Sequence, residues 1–382
     1  MRAAILSIAA RVGWLGARVV TPALAFVQRH LLHRRTIVAS SLTSLGVHFL
    51  PGWQTFDGAP VGGLSGIDFD PGSGRWVLVT DDRASDFPAR AYDAAIAVNE
   101  RGFGEVALTG TVTFRQADGA PYPTIAEPGA TPDIESIRMD PANGHLWFAS
   151  EGNPAYSVPP ELVENDAGGA FIRALPLPER FHLTEDGQRG PRANLTVEGM
   201  CFAADDASIW ASMEGPLVQD GVLPTLDAGA PVRFIQFDRD GTILREVVYD
   251  LDPLVRASDS LEVAGVSEIL AIDDERLLVL ERQAANRLFG IPDFTVRLYE
   301  ATVTGATDVQ GIDALVGADY IPVTKRLLAD LGQLGVGIVT NFEGICWGPV
   351  LASGHRSLVL IADNNQVRML PSQLLALDAG DL

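Results

Sequence analysis

From residue 36 onward the apolar positions fall in short runs broken by Gly, Pro, Asp and Asn, with little helical period. One phrase recurs five times: Leu64-Ser65-Gly66-Ile67-Asp68, Ile134-Glu135-Ser136-Ile137-Arg138, Val197-Glu198-Gly199-Met200-Cys201, Ser267-Glu268-Ile269-Leu270 and Phe342-Glu343-Gly344-Ile345-Cys346. After a turn, each copy is followed by a second apolar run. These runs end in Asp81-Asp82-Arg83, Glu151-Gly152, Glu214-Gly215, Glu281-Arg282 and Asp363-Asn364-Asn365.

The first repeat predicts strands over 65–70, 75–80, 91–99 and 106–114, with turns at Pro71–Gly74 and Glu100–Gly102, a four-stranded antiparallel meander. The third follows the same plan with 198–203, 208–213, 232–237 and 243–249. The fourth supplies 268–272, 276–280 and 295–302, and its end, Lys325 to Leu334, predicts a short helix. A repeated four-stranded sheet is the signature of a β-propeller blade. The last repeat lacks an outermost strand after Ser372–Leu377, and Thr36–Phe49 can supply it, closing the ring and removing exposed sheet edges. Five blades over residues 36–382 is the preferred all-β architecture. Six is the alternative if a degenerate blade occupies 284–340, and an irregular sandwich is the competing fold.

In a blade the innermost strand starts at one face of the ring and the second strand returns to it. The start of one and the end of the other are therefore neighbours. This places Glu135 beside Glu151, Glu198 beside Glu214, Glu268 beside Glu281 and Glu343 beside Asp363, with Asp81 and Asp82 opposite Ser65. The expectation is a ring of about nine or ten carboxylates at one channel mouth, open at Ser65. Confined like charges raise pKa values or recruit cations. Carboxylates, amides (Asn194, Asn364, Asn365) and carbonyls are hard oxygen ligands, so the set suits Ca2+ rather than zinc. The competing role for each acid is to receive backbone amides or an arginine (Arg83, Arg138, Arg282) and pin blades together. With a cation bound, Glu198 or Glu343 is a candidate proton acceptor, and Arg83, Arg282 or Lys325 would neutralise an anionic substrate.

A formal net charge of −21 makes nucleic acid and anionic membranes poor partners. Frequent Gly (38) and Pro (24) fit many short strands and turns. Cys201 and Cys346 occupy equivalent positions in different repeats, so two buried free thiols are expected rather than a disulfide. Nucleophile-elbow, HExxH and P-loop patterns are absent, and His145 and His182 are candidate active-site groups whose competing role is that of lone solvated or core histidines. Residues 1–35 form a separate extension. An apolar run interrupted by Arg11 and Arg18, then Ala23-Leu24-Ala25, reads as an atypical export signal and excludes a normal membrane span. An amphipathic surface helix or an over-extended start site are the rivals.

The phrases Gly62-Gly63-Leu64-Ser65-Gly66-Ile67, Asp81-Asp82-Arg83 with Pro88-Ala89-Arg90, Asn194-Leu195 with Glu198-Gly199, Gln219-Asp220-Gly221, Lys325-Arg326-Leu327-Leu328 and Asp363-Asn364-Asn365, with the repeat phrases between them, resemble the phytase-like domain family, titled "esterase-like activity of phytase". The resemblance spans roughly 45–378 and implies a bacterial β-propeller in a periplasmic or secreted setting. After Asn365, Gln366-Val367-Arg368 stands where the family pattern has an aromatic. The function expected is a Ca2+-dependent hydrolase, monomeric, acting on a small phosphate or carboxylic ester at the acidic mouth. The alternatives are a non-catalytic propeller that binds a ligand or partner protein, and a lactonase-like propeller enzyme.

Overall fold

The computed structural model describes residues 42–81, 86–124, 127, 129–256, 262–286 and 292–382, so the expected leader at 1–35, and Asp82 and Arg83, lie outside the described residues. Chain order begins with β1 (Thr43–Leu50) and a small hairpin, β2 (Thr55–Phe56) and β3 (Ala59–Pro60). The first blade is β4 (Leu64–Asp70), β5 (Arg75–Thr80), β6 (Arg90–Asn99) and β7 (Gly102–Thr113). The second is β8 (Ile134–Met139), β9 (Leu146–Ser150), β10 (Glu161–Asn165) and β11 (Phe171–Pro176). The third is β12 (Val197–Phe202), β13 (Ser208–Met213), β14 (Pro231–Asp238) and β15 (Ile243–Asp250). The fourth is β16 (Glu262–Ala271), β17 (Arg276–Asn286), β18 (Pro292–Thr302) and β19 (Thr324–Asp330). The last is β20 (Asn341–Val350), β21 (Arg356–Asp363) and β22 (Ser372–Asp378).

Each blade is a four-stranded antiparallel meander, and β1 completes the fifth by pairing with β22. The ring of five is therefore closed by joining the two ends of the described chain, as the missing outer strand required. Residues 284–340 hold no sixth blade among the described residues; they finish blade four. One element differs from expectation. Residues 324–330 form the outermost strand β19, followed by a single 3-10 turn at Leu331–Gln333, rather than a helix. The local Lys-Arg-Leu-Leu-Ala composition favours a helix. Pairing with the open edge of β18 satisfies the backbone instead.

The second strands carry the largest core side chains. Trp76, Trp147 and Trp210 are at most 2% exposed and pack between neighbouring blades. Trp147 meets Phe202 of the next blade edge-on at 6.1 Å, a favoured aromatic geometry. Cys201 and Cys346 are free and buried, as expected.

The innermost strands approach so closely that glycine is required on three of them. A Cβ on Gly199 would sit 2.8 Å from the Ile269 amide, and one on Gly344 would sit 2.8 Å from the Ser65 carbonyl. The other two blades carry Ser136 and Glu268 at the equivalent place, and these fill the axis. Arg138 is 3% and Glu268 0% exposed, and they pair at 2.9 Å. The Arg138 guanidinium donates to the carbonyls of Ile67 (3.2 Å), Ile137 (2.7 Å), Ile269 (3.0 Å) and Ile345 (3.2 Å), from blades one, two, four and five. Glu268 accepts from Ser136 Oγ (2.7 Å), the amide of Ile269 (3.0 Å) and, in blade three, the amide of Met200 (2.9 Å). One ion pair therefore touches every blade. Burial still lifts the Glu268 carboxyl to about 7, against Arg138 and these donors. Asp68 accepts from the Met139 amide at 2.7 Å, and burial lifts it to about 6 against the pull of Arg138.

Two outcomes follow from this axis. Arg138→Met should cost about 3–5 kcal/mol of unfolding free energy in urea, because it strands a buried carboxylate, and Arg138→Met/Glu268→Gln should recover part of that loss. Asp68 has a raised folded pKa, so its ionisation opposes folding: its contribution is intact below the ordinary value of 3.8 and is lost as pH rises through about 6. Asp68→Asn should match the wild type in urea midpoint at about pH 4 and exceed it at about pH 8.

Candidate functional site

A β-bulge sits at the same place on every innermost strand. The register shifts lie between Leu64 and Gly66, Ile134 and Ser136, Val197 and Gly199, Val266 and Glu268, and Phe342 and Gly344. The residue extruded is Ser65, Glu135, Glu198, Ser267 or Glu343. A bulge re-aims one side chain without disturbing the rest of the ladder. Across from each bulge, the residue of the second strand's run that follows the partner of the last paired residue before the bulge is Asp81, Glu151, Glu214, Arg282 or Asp363.

Blade four is one residue out of phase with its sequence phrase. Its bulge is Ser267, and the residue across from it is Arg282, which lies within the longer strand β17. Glu268 thus occupies the glycine position and turns into the axis. Glu281 faces the third blade, accepting from Tyr249 Oη at 2.6 Å and from Lys325 Nζ at 2.7 Å. The expected pairing of Glu268 with Glu281 is therefore not formed, because a shift of one residue sends a strand side chain to the opposite face. Lys325 is also held at 2.7 Å by Asp252, so it does not point to the mouth as a free cation. The opening in the acid ring expected at Ser65 has a counterpart at Ser267.

The structure brings the remaining described acids together at one mouth, in three groups whose oxygens lie within 4.8 Å of one another: Asp81, Glu343 and Asp363; Asp133, Glu135 and Glu151; and Glu151, Glu198 and Glu214. Asp133 was not among the sequence candidates. It lies two residues before Glu135, on the same side of the extended chain, and that period-two spacing was the available signal. Arg282 sits between the groups. Its guanidinium donates to Glu214 at 2.8 Å in blade three, to Asn341 at 2.8 Å in blade five, and to Glu343; Glu198 faces it at 3.8 Å. Asp81, Glu343 and Asp363 are left on one side of it, and the five acids of blades two and three on the other.

Burial dominates the electrostatics. It raises Glu198 well above the ordinary carboxylate range, with Glu214 adding to it and Arg282 opposing, and raises Glu135 similarly, with Glu198 and Asp133 contributing. Burial and Asp133 lift Glu151 to about 7. Burial lifts Glu214 to about 7 against Arg282, and burial with Glu343 lifts Asp363 to about 7. Burial disfavours the Arg282 cation, but Glu343, Glu214 and Glu198 outweigh it and hold its pKa above normal. The cluster is thus short of positive charge among the described residues.

Two buried oxygens, Glu343 Oε2 and Asp363 Oδ1, have no hydrogen-bond donor among the described residues. Buried carboxylate oxygens are ordinarily satisfied. An all-oxygen donor set with such orphans fits a hard divalent cation, and neither histidine nor cysteine belongs to the three groups. The two candidate histidines lie elsewhere: His145 bonds Glu164 at 2.8 Å, and His182 bonds the Leu177 carbonyl at 2.6 Å. Asn364 is a structural clasp, accepting from the Gly63 amide at 3.0 Å and donating to the Leu370 carbonyl at 2.9 Å.

No curated protein matches the chain. Among solved structures it is similar to the tail fibre of Staphylococcus aureus phage P68, at 11% identity and a TM-score of 0.39, covering 94% of this chain and 56% of that one. It therefore spans little more than half of the tail fibre's length. It is also similar to a mannose phosphorylase from Leishmania mexicana, at 9% identity and a TM-score of 0.39, covering 93% of both chains. Likeness to Kuenenia stuttgartiensis hydrazine synthase is at 13% identity and a TM-score of 0.36, covering 81% of each chain. The model of one family, described as "Esterase-like activity of phytase", matches residues 59–366, most of the chain, and the protein belongs to this Phytase-like family.

Proposed function

We propose that the protein is a metal-dependent hydrolase of a phosphate or carboxylic ester, working at the carboxylate-lined mouth with Ca2+ as its cation. The observation that carries this reading is the convergence of eight carboxylates in three groups, two of them with buried oxygens that lack a donor. Family membership supports ester hydrolysis as the reaction. In this reading Asp81, Glu343 and Asp363, or Asp133, Glu135 and Glu151, would hold the cation.

A bound cation would polarise the ester's carbonyl or phosphoryl oxygen and acidify an attacking water. Glu198 is assigned as the proton acceptor. It faces Arg282 at 3.8 Å, beyond hydrogen-bond range, whereas Glu214 is held at 2.8 Å. Arg282 keeps Glu214 and Glu343 in place and offsets negative charge between the two groups. A competing reading is a non-catalytic propeller in which Arg282 and its carboxylates tie blades three, four and five together; the Arg282 bonds to Glu214 and Asn341 favour it.

Elemental analysis of the purified protein, with turnover of para-nitrophenyl phosphate and para-nitrophenyl acetate before and after chelation, separates the two. Bound metal, loss of turnover with chelator and recovery with Ca2+ are expected. Glu198→Gln should lower kcat by about 100-fold or more while leaving the thermal midpoint within a few degrees of wild type. Background metal content and no turnover of either ester would leave only the non-catalytic reading.

A further inference from the structure

Beside the larger carboxylate group lies a cavity of about 170 Å3, lined by Leu195, Leu223, Pro224, Leu254 and Ala264, with Asn194 as a polar member. Its walls are continuous with the site. Leu195 precedes Thr196, whose amide donates to Glu151 at 3.1 Å. Leu195 also packs on Gly215, next to Glu214: a Cβ there would lie 3.3 Å from its side chain. On the other wall, Ala264 precedes Gly265, where a Cβ would lie 2.4 Å from Glu214 Cγ.

We infer that this cavity is the subsite for an apolar substrate arm, and that the substrate is a neutral carboxylic ester with an acyl chain or ring of about six carbons rather than a polyphosphorylated one. The inference rests on the hydrolase reading above and narrows it. A cavity of this size and lining accommodates a group of about benzene's volume. The charge argues the same way. The three groups place eight carboxylates at the mouth, and the formal net charge is −21, so a polyanion meets a repulsive field. In the reaction, water adds to the carbonyl carbon and the bond from that carbon to the alkoxy oxygen breaks. One water proton passes through Glu198 to the departing alcohol, releasing acid and alcohol.

Two measurements test it. Saturation-transfer NMR of the full chain with methyl hexanoate and, separately, inositol hexakisphosphate reads the subsite without requiring turnover. Signal from methyl hexanoate that falls at least about fivefold in Ala264→Phe is expected. The milder Leu223→Ala, on the cavity's edge, should weaken the signal if the bulkier variant fails to fold. Hydrolysis of para-nitrophenyl acetate, butyrate and hexanoate should then show kcat/KM rising about tenfold or more along the series, a ratio that collapses towards unity in either variant. No NMR signal from methyl hexanoate, or a stronger one from inositol hexakisphosphate, overturns the subsite whatever the turnover. Turnover with a flat chain-length profile overturns it and leaves the hydrolase reading standing. A methyl hexanoate signal lost in both variants, without turnover of any ester, supports the subsite as a binding pocket and removes the hydrolase reading.

Discussion

Five sheets arranged around one axis must fill that axis, and here a single ion pair does so. The neighbouring innermost strands pack backbone to backbone at Gly66, Gly199 and Gly344, leaving no room for side chains. Only blades two and four place side chains there, Ser136 and Glu268, and Arg138 reaches across from the former. Its guanidinium spans four isoleucine carbonyls, and Glu268 takes the amide of Met200 in the remaining blade. A buried ion pair contributes little net stability compared with an apolar filling of equal volume. Its hydrogen bonds are directional, however, and they fit one mutual arrangement of five blades.

Filling the axis confines any chemistry to the mouth. The bulges then decide what the mouth contains. Each extrudes one residue beside the adjacent strand, so blades two, three and five each pair a bulged acid with one across from it, and blade one presents Asp81 beside Ser65. Blade four presents Ser267 and Arg282 instead. That one cationic blade lies between Glu214 and Glu343 and divides the acids into two sets. The same blade gives up its glutamate to the axis. The plug and the break in the acid ring are therefore two consequences of one register.

Much of this was legible in the chain. The repeated phrase, the turns and the missing outer strand specified a five-bladed ring closed by its N-terminal strand, since period-two patterning and turn chemistry act locally. Placement of Glu135, Glu151, Glu198, Glu214, Glu343, Asp81 and Asp363 at one mouth followed from blade geometry. Residues 325–334 suit a short helix, and only the waiting edge of β18 makes 324–330 a strand. Asp133 lies before the repeated phrase, so the repeat itself does not point to it.

What the sequence by itself determined is the architecture and the set of acids able to meet. What only the tertiary structure decided is phase and partner. Glu198 and Glu268 hold the same place in the repeated phrase, yet one bulges into the mouth and the other enters the axis. A bulge moves by one residue at small local cost, and the buried charge of Arg138, in another blade and far away in sequence, is met by a carboxylate at that one place.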